Sequence, residues 1–112
     1  MLKCPEFIHI LTWKQDVTLK NVEAFRQVIG QLQDRTEEAI VLDLEHVTYL
    51  NSAALGAIAE GVLSAKRKGK ELVIGGIQPS VGEIFRIVKF ETFMRLFLTI
   101  EDAVAYLASK AE

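Results

Sequence analysis

The sequence is poor in the residues that build catalytic and metal sites. It has one cysteine and two histidines in 112 residues. The cysteine, Cys4, cannot form an internal disulfide, which is typical of a protein in a reducing compartment. His9 and His46 do not combine with acids or Cys4 at the spacing of a metal site. We therefore expect no metal ion and no other cofactor.

The sequence also lacks an excess of either charge and a long apolar run. Thirteen Lys and Arg residues and 15 Asp and Glu residues give a net charge of -2, whereas nucleic-acid binding normally needs a basic stripe. No apolar run reaches the roughly 18 residues of a membrane-spanning helix. The N-terminal stretch MLKCPEFIHI has no apolar signal core and no small-residue cleavage site. We expect a cytoplasmic protein that neither binds nucleic acid nor inserts into a membrane.

Half of the residues are hydrophobic, which is enough for the core of one domain over residues 1–112. Apolar periodicity and turn residues predict strands at 7–13, 39–44, 71–76 and 94–100. The same signals predict helices at 18–35, at 53–68, from Pro79 onward and at 101–110. This alternation predicts an α/β domain with a largely parallel sheet and right-handed crossovers. The pattern does not define the strand order, and it leaves open a further short strand near 1–4 or 46–49.

Three catalytic or switching chemistries find little support in the residues. A phosphate-binding loop needs glycines after a strand, but KQDVTLKN follows the first strand and no phosphate-loop lysine follows Gly75 and Gly76. A phospho-aspartate receiver needs paired acids for magnesium, whereas Asp43 lies within an apolar strand without an evident acidic partner. Nucleophilic catalysis by Ser52 with His46 would also need an orienting acid and an oxyanion site. The sequence therefore favours a binding module without enzymatic activity.

The start of the second predicted helix combines a polar pair with small residues. Asn51 and Ser52 are both preferred helix caps, because their side chains accept hydrogen bonds from the first-turn N–H groups. Small residues follow, at Ala53, Ala54, Gly56 and Ala57. They would suit either a smooth docking surface or close packing against another element. A phosphate on Ser52 would suit the positive end of the helix and would disturb a partner packed against it.

The stretch IVLDLEHVTYLNSAALGAI, followed by KGKELVIGGIQPSVGEIF and LFLTIEDAVAYL, resembles the STAS domain family of anti-sigma factor antagonists and sulfate transporters. The resemblance runs from about Phe7 to Leu107. It implies one STAS-like domain with a mixed, mostly parallel sheet of four or five strands and about four helices. Asn51 stands where the family usually has aspartate, Ala54 where it usually has glycine, and Gln15 where a glycine commonly ends the early hairpin.

In the stand-alone antagonists that the chain resembles most, a serine is phosphorylated by an anti-sigma factor with serine-kinase activity. The unphosphorylated form binds this partner and frees a sigma factor. On this resemblance Ser52 is the phosphoacceptor. The residues expected to border the docking surface are Asp16, Thr18, Asn51, Ala53, Ala54, Leu55 and Gly56. The alternative is a STAS subunit of a transporter or a stress-signalling assembly that is not phosphorylated, with Ser52 only a helix cap.

Overall fold

The computed structural model describes residues 5–111, so Cys4 and the possible strand near 1–4 lie outside the described residues. Within the described residues three strands alternate with three helices, and a fourth helix follows the third. In order they are β1 (Ile8–Thr12), α1 (Val22–Gln31), β2 (Ala39–Asp43), α2 (Ser52–Arg67), β3 (Glu71–Gly75), α3 (Pro79–Ile87) and α4 (Ile100–Lys110). Short 3-10 turns follow α1, at Leu32–Asp34, and α3, at Phe90–Thr92. None of the helices within residues 5–111 has both the length and the apolar character needed to cross a membrane.

The described strands form a parallel sheet in the order β1-β2-β3, which confirms the α/β class. All five residues of the central strand β2 are buried, as expected for a strand covered on both faces. Alternate side chains of the sheet enter two cores. Ile40 and Leu42 pack with α1, α2 and α3, whereas Val41 packs with α4.

The predicted strand at 94–100 is wrong, and the described sheet has three strands rather than four or five. The segment pairs with β3 in the manner of a strand only at a single parallel bridge between Ile74 and Leu96. Around this bridge the backbone makes two hydrogen bonds, from Ile74 N–H to the Arg95 carbonyl and from Phe97 N–H to the Ile74 carbonyl. The extended stretch ends there because Thr99 caps α4, its Oγ1 accepting from the Asp102 N–H at 3.0 Å. The stretch 46–49 likewise forms no strand.

The first helix is shorter than the predicted 18–35, since α1 begins at Val22. Residues 18–21 form turns instead, because the Asn21 side chain accepts from the Thr18 N–H at 2.9 Å and donates to the Asp16 carbonyl at 2.9 Å. Leu19, which the apolar periodicity assigns to the buried face, is therefore 89% exposed.

Helix α2 buries Ile58 and Val62 as its apolar periodicity predicts, but Leu63 lies 41% exposed. Its other buried residues are small: Ala54, Ala57, Gly61 and Ala65. The reason is the close approach of α1. A Cβ atom added at Gly61 would lie 2.6 Å from Ile29 Cγ2, so only glycine fits there without a shift. Close packing against α1 thus accounts for part of the small-residue pattern.

Gly56 and Gly61 lie in the same helix and should respond oppositely to alanine. At Gly61 the added methyl would overlap buried Ile29, so Gly61→Ala should lower the free energy of unfolding by about 1–3 kcal/mol. At Gly56 nothing lies within 4 Å of the added methyl, so Gly56→Ala should raise the free energy of unfolding by up to about 1 kcal/mol. Urea unfolding of both variants checks this. A stabilised Gly61→Ala would contradict the packing argument.

Candidate functional site

Asn51 and Ser52 have separate roles at the start of α2. Asn51 is the helix cap, with its Oδ1 accepting from the Ala54 N–H at 2.8 Å and its backbone extended at φ -78° and ψ 174°. Ser52 is the first helical residue and is exposed. Its hydroxyl has no hydrogen-bond partner among residues 5–111. Because the amide of Asn51 does the capping, the hydroxyl of Ser52 is free for other chemistry.

The Asp16 carboxylate holds the loop that leads into α2. It accepts from the Thr48 N–H at 2.7 Å, from the Thr48 hydroxyl at 3.1 Å and from the Tyr49 N–H at 3.2 Å. The N–H of Thr48 in particular, aided by the Thr48 hydroxyl and the Tyr49 N–H, lowers the pKa of Asp16. Asp16 thus makes internal hydrogen bonds that fix the loop while its side chain stays partly exposed.

Backbone hydrogen bonds join the same two segments beyond Asp16. The Val17 N–H donates to the Tyr49 carbonyl at 3.0 Å, and the Asn51 N–H donates to the Val17 carbonyl at 3.2 Å. Val17 and Leu50, which form the parallel bridge between them, are both buried. We call residues 16–18 and 48–51 together the clamp. The clamp fixes the backbone immediately before Ser52.

The clamp is also connected to α3. The hydroxyl of Ser80, in the first turn of that helix, donates to the Thr48 carbonyl at 2.8 Å. Thr48 therefore bonds with its N–H and hydroxyl to Asp16, and with its carbonyl to Ser80. The N-terminal ends of α1, α2 and α3 are brought together at this edge, where the carboxyl ends of the strands lie.

Asp43 supports the fold rather than a chemical site. It is 4% exposed, at the end of β2, and its carboxylate accepts from the Thr12 hydroxyl at 3.0 Å and the Glu45 N–H at 2.9 Å. Gly76 packs against this group with φ +70°, and a Cβ atom there would lie 3.0 Å from Asp43 Oδ1. The single acid in the apolar strand is satisfied by these neighbours, which explains its presence without a metal or a phosphate.

The structure brings most of the sequence-predicted site residues to one surface but removes one of them. Thr18, Ser52 and Gly56 are exposed, and the half-buried members are Asp16, Asn51, Ala53 and Leu55. Ala54 is fully buried, so its side chain is not available to a partner. The physical reason is that Ala54 lies on the face of α2 that packs into the larger hydrophobic core. Sequence reasoning also missed two exposed apolar residues beside this surface, Leu19 and Tyr49.

Comparison with known proteins identifies the family. The STAS domain family model matches residues 1–103. The chain belongs to the STAS domain family. A putative anti-sigma factor antagonist from Thermotoga maritima superposes with a TM-score of 0.82 at 19% identity, covering 93% of this chain and 90% of its own. A sulfate transporter family protein from Wolinella succinogenes superposes with a TM-score of 0.80 at 18% identity, and the match covers 94% of this chain and 88% of that protein. An anti-sigma factor antagonist from Mycobacterium paratuberculosis superposes with a TM-score of 0.79 at 18% identity, and the match covers 95% of this chain and 90% of that protein.

The serine of this STAS domain is not part of a catalytic arrangement in the described residues. The His46 side chain is half exposed, and its Nε2 lies 3.6 Å from Glu45 Oε1. The groove beside Ser52, between α1 and α2, is lined by Ala53 and Gly56 but not by His46. Residues 5–111 contain no group of three His, Cys, Asp or Glu side chains that could hold a metal ion. The geometry offers a modifiable hydroxyl, and it does not assemble a nucleophile with a base.

The cap assignment predicts different effects of alanine at the two adjacent positions. Asn51→Ala removes the acceptor for the Ala54 N–H and should lower the free energy of unfolding by about 1 kcal/mol. Ser52→Ala removes an exposed hydroxyl without a hydrogen-bond partner and should change the free energy of unfolding by less than about 0.5 kcal/mol. Urea denaturation compares the two variants. The reverse order of effects would show that Ser52 is the cap.

The clamp predicts a specific loss of stability in acid. Because the folded-state pKa of Asp16 is lowered, its contribution is present above the unfolded pKa of about 3.9 and is lost as the pH falls through the lower folded value. Asp16→Asn should therefore be less stable than the wild type at pH 7, with a smaller further loss below pH 4. Urea unfolding at both pH values measures this, and faster hydrogen exchange at the Thr48 amide should accompany it.

Glu37 provides the matched control for this experiment. Hydrogen bonding from Arg35 lowers the pKa of Glu37 to about 2, so Glu37→Gln should also weaken the acid dependence. Glu37 precedes β2, at the opposite end of that strand from the clamp. Exchange at the Thr48 amide should therefore be unchanged in Glu37→Gln. Equal acceleration in both variants would argue against a local clamp.

Proposed function

We propose that this STAS domain is an anti-sigma factor antagonist that binds an anti-sigma factor with serine-kinase activity and is released when that partner phosphorylates Ser52. The observation that carries the proposal is the free, exposed hydroxyl of Ser52 beside a separate cap. A kinase substrate needs an accessible hydroxyl whose modification leaves the fold intact. Ser52 meets both conditions because Asn51 holds the helix start without it.

The start of α2 would tolerate the phosphate. The first N–H groups of a helix have no intrahelical partners, and the aligned peptide dipoles make this end positive. The cap uses the Ala54 N–H, and the Leu55 N–H bonds to the Asn51 carbonyl at 3.1 Å. The first turn already carries no acidic residue, so the phosphate would meet no like charge within it. Phosphorylation should therefore change the surface while leaving the helix in place.

The same phosphate would be unfavourable in an interface. The small residues Ala53 and Gly56 continue from Ser52 along the groove between α1 and α2, which is also lined by Arg26 and Glu60. A phosphoserine carries about -1.5 to -2 charges at neutral pH. A partner packed closely on these small residues would have to pair or desolvate those charges, which can cost several kcal/mol. A two-state switch then follows without a change of fold.

This proposal assigns the chain a binding role, with the catalytic step belonging to the partner. Under this proposal the chain lies in the cytoplasm, because the nucleotide that a serine kinase uses and the polymerase that a sigma factor binds are both there. The antagonists among the structural neighbours support the proposal at the level of fold.

A second candidate function is supported by the transporter-family neighbour, which is as similar in structure as the antagonists. In that case the domain would be a constitutive binding subunit, and Ser52 would carry no phosphate. The free hydroxyl favours the antagonist, because a purely structural helix start does not need a serine next to its cap.

The first experiment is intact-mass measurement of the protein purified from its native host, with the modified residue mapped by peptide fragmentation. We expect one phosphate on Ser52 in part of the population and none in Ser52→Ala. Ser80→Ala is the matched control, because Ser80 also stands in the first turn of a helix but bonds to the Thr48 carbonyl. Absence of phosphate under several growth conditions would favour the constitutive subunit.

Charge at Ser52 should control partner binding. Ser52→Asp should weaken binding to the anti-sigma factor at least tenfold, about 1.4 kcal/mol, while stability stays within about 1 kcal/mol of the wild type. Ser52→Ala should bind as the unmodified protein does and resist the switch. Ser52→Asn matches the size of aspartate without its charge and should bind better than Ser52→Asp. Titration calorimetry with the purified partner measures all three, and tight binding by Ser52→Asp would refute the switch.

A further inference from the structure

Two large apolar side chains stand in solvent beside the proposed docking surface. Leu19 is 89% exposed and Tyr49 is 49% exposed. Neither belongs to the two hydrophobic cores or to the partly buried residues packed against them. Burying a leucine side chain is favourable because it removes apolar surface from water, and the isolated domain forgoes this gain at Leu19. The fold itself therefore supplies no packing role for either side chain.

The backbone at both residues is held by hydrogen bonds. The Tyr49 N–H donates to the Asp16 carboxylate at 3.2 Å, and its carbonyl accepts from the Val17 N–H at 3.0 Å. Leu19 lies within turns closed by the Thr18 N–H to Asn21 Oδ1 and by the Lys20 N–H to Thr18 Oγ1 at 3.2 Å. The two side chains are therefore presented by fixed turns, which lowers the entropy that a partner must remove on binding.

Chain geometry places both residues near Ser52. Tyr49 is three residues before Ser52, so their Cα atoms are at most about 11 Å apart. Leu19 and Ser52 each lie two residues beyond the bridged pair Val17 and Leu50, which limits their separation to about 19 Å. A typical interface of about 800 Å² per partner is roughly 30 Å across. One partner that reaches Ser52 can therefore cover both side chains.

We propose that Leu19 and Tyr49 are the apolar anchors by which the anti-sigma factor holds this domain while Ser52 reaches its phosphate-transfer site. The inference rests on the proposed function and adds the partner's chemistry. The partner must present apolar pockets within about 20 Å of the γ-phosphate that it transfers, given the limits set by the chain. Rigid aromatic anchors such as tyrosine carry much of the energy in protein interfaces, and an exposed leucine beside one adds apolar surface that a partner can bury.

The test measures binding of each purified serine-kinase anti-sigma factor of the host bacterium to variants of the full chain. Leu19→Ser and Tyr49→Ser should each weaken binding at least tenfold. Tyr49→Phe keeps the ring and should bind within threefold of the wild type. Ile87→Ser is the matched control, because Ile87 is 68% exposed at the far end of α3 from Ser80 and should have no effect beyond twofold.

Two further readouts separate contact from folding. Thermal unfolding of Leu19→Ser and Tyr49→Ser should match the wild type, since neither side chain is packed in a core. In the phosphorylation reaction both variants should raise KM with little change in kcat, because the anchors act equally in the ground and transition states.

The outcomes distinguish this inference from the function on which it rests. If no anti-sigma factor binds the wild type, the proposed function fails and the anchors fail with it. If the wild type binds, Ser52→Asp does not, and Leu19→Ser and Tyr49→Ser bind normally, the anchor assignment alone is overturned. Light scattering measures the oligomeric state and so tests a third outcome. A wild-type dimer that Leu19→Ser converts to a monomer would assign these side chains to a second copy of the chain and overturn the proposal.

Discussion

The candidate site depends on the hydrogen bonds that join the segment after β1 to the segment before α2. Parallel strands end at the same edge of a sheet, but the loops leaving that edge have no ladder to hold them. Here Asp16 supplies the missing restraint by accepting hydrogen bonds from Thr48 and Tyr49. The bridge between Val17 and Leu50 adds buried contact on the same side. The helix start that carries the serine is thus held by the fold itself.

The two adjacent polar residues at this helix start have different surroundings. The amide of Asn51 satisfies a first-turn N–H group, a role that a serine hydroxyl fills equally well in many proteins. Because the cap is one residue earlier, Ser52 can be modified, or replaced, without removing it. The amide oxygen of Asn51 is the atom that the cap uses, and this uncharged side chain places no negative charge next to the proposed phosphate.

Close helix packing fixes where this start points. Gly61 lets Ile29 approach α2, and Ala54, Ile58 and Val62 of the same helix lie in the larger hydrophobic core. This packing buries Ala54 and leaves Ser52 and Gly56 in solvent. On the other side of the same edge, the buried carboxylate of Asp43 fills the space between Thr12 and Gly76. The surface of the site and the packing of the core are therefore set by the same contacts.

The sequence by itself determined the α/β class and the positions of β2, β3, α2 and α4. These features depend on local signals, namely apolar runs, caps and turn residues, that act within a few residues. Only the tertiary structure decided which polar residue is the cap, that Ala54 is buried, that Leu19 is exposed, and that 94–100 pairs at a single point. Each of these depends on a contact between distant parts of the chain, such as Ile29 against Gly61 or Ile74 beside Leu96. A pattern of residue types carries no information on those distances, because the partner that closes each contact is chosen by packing in three dimensions.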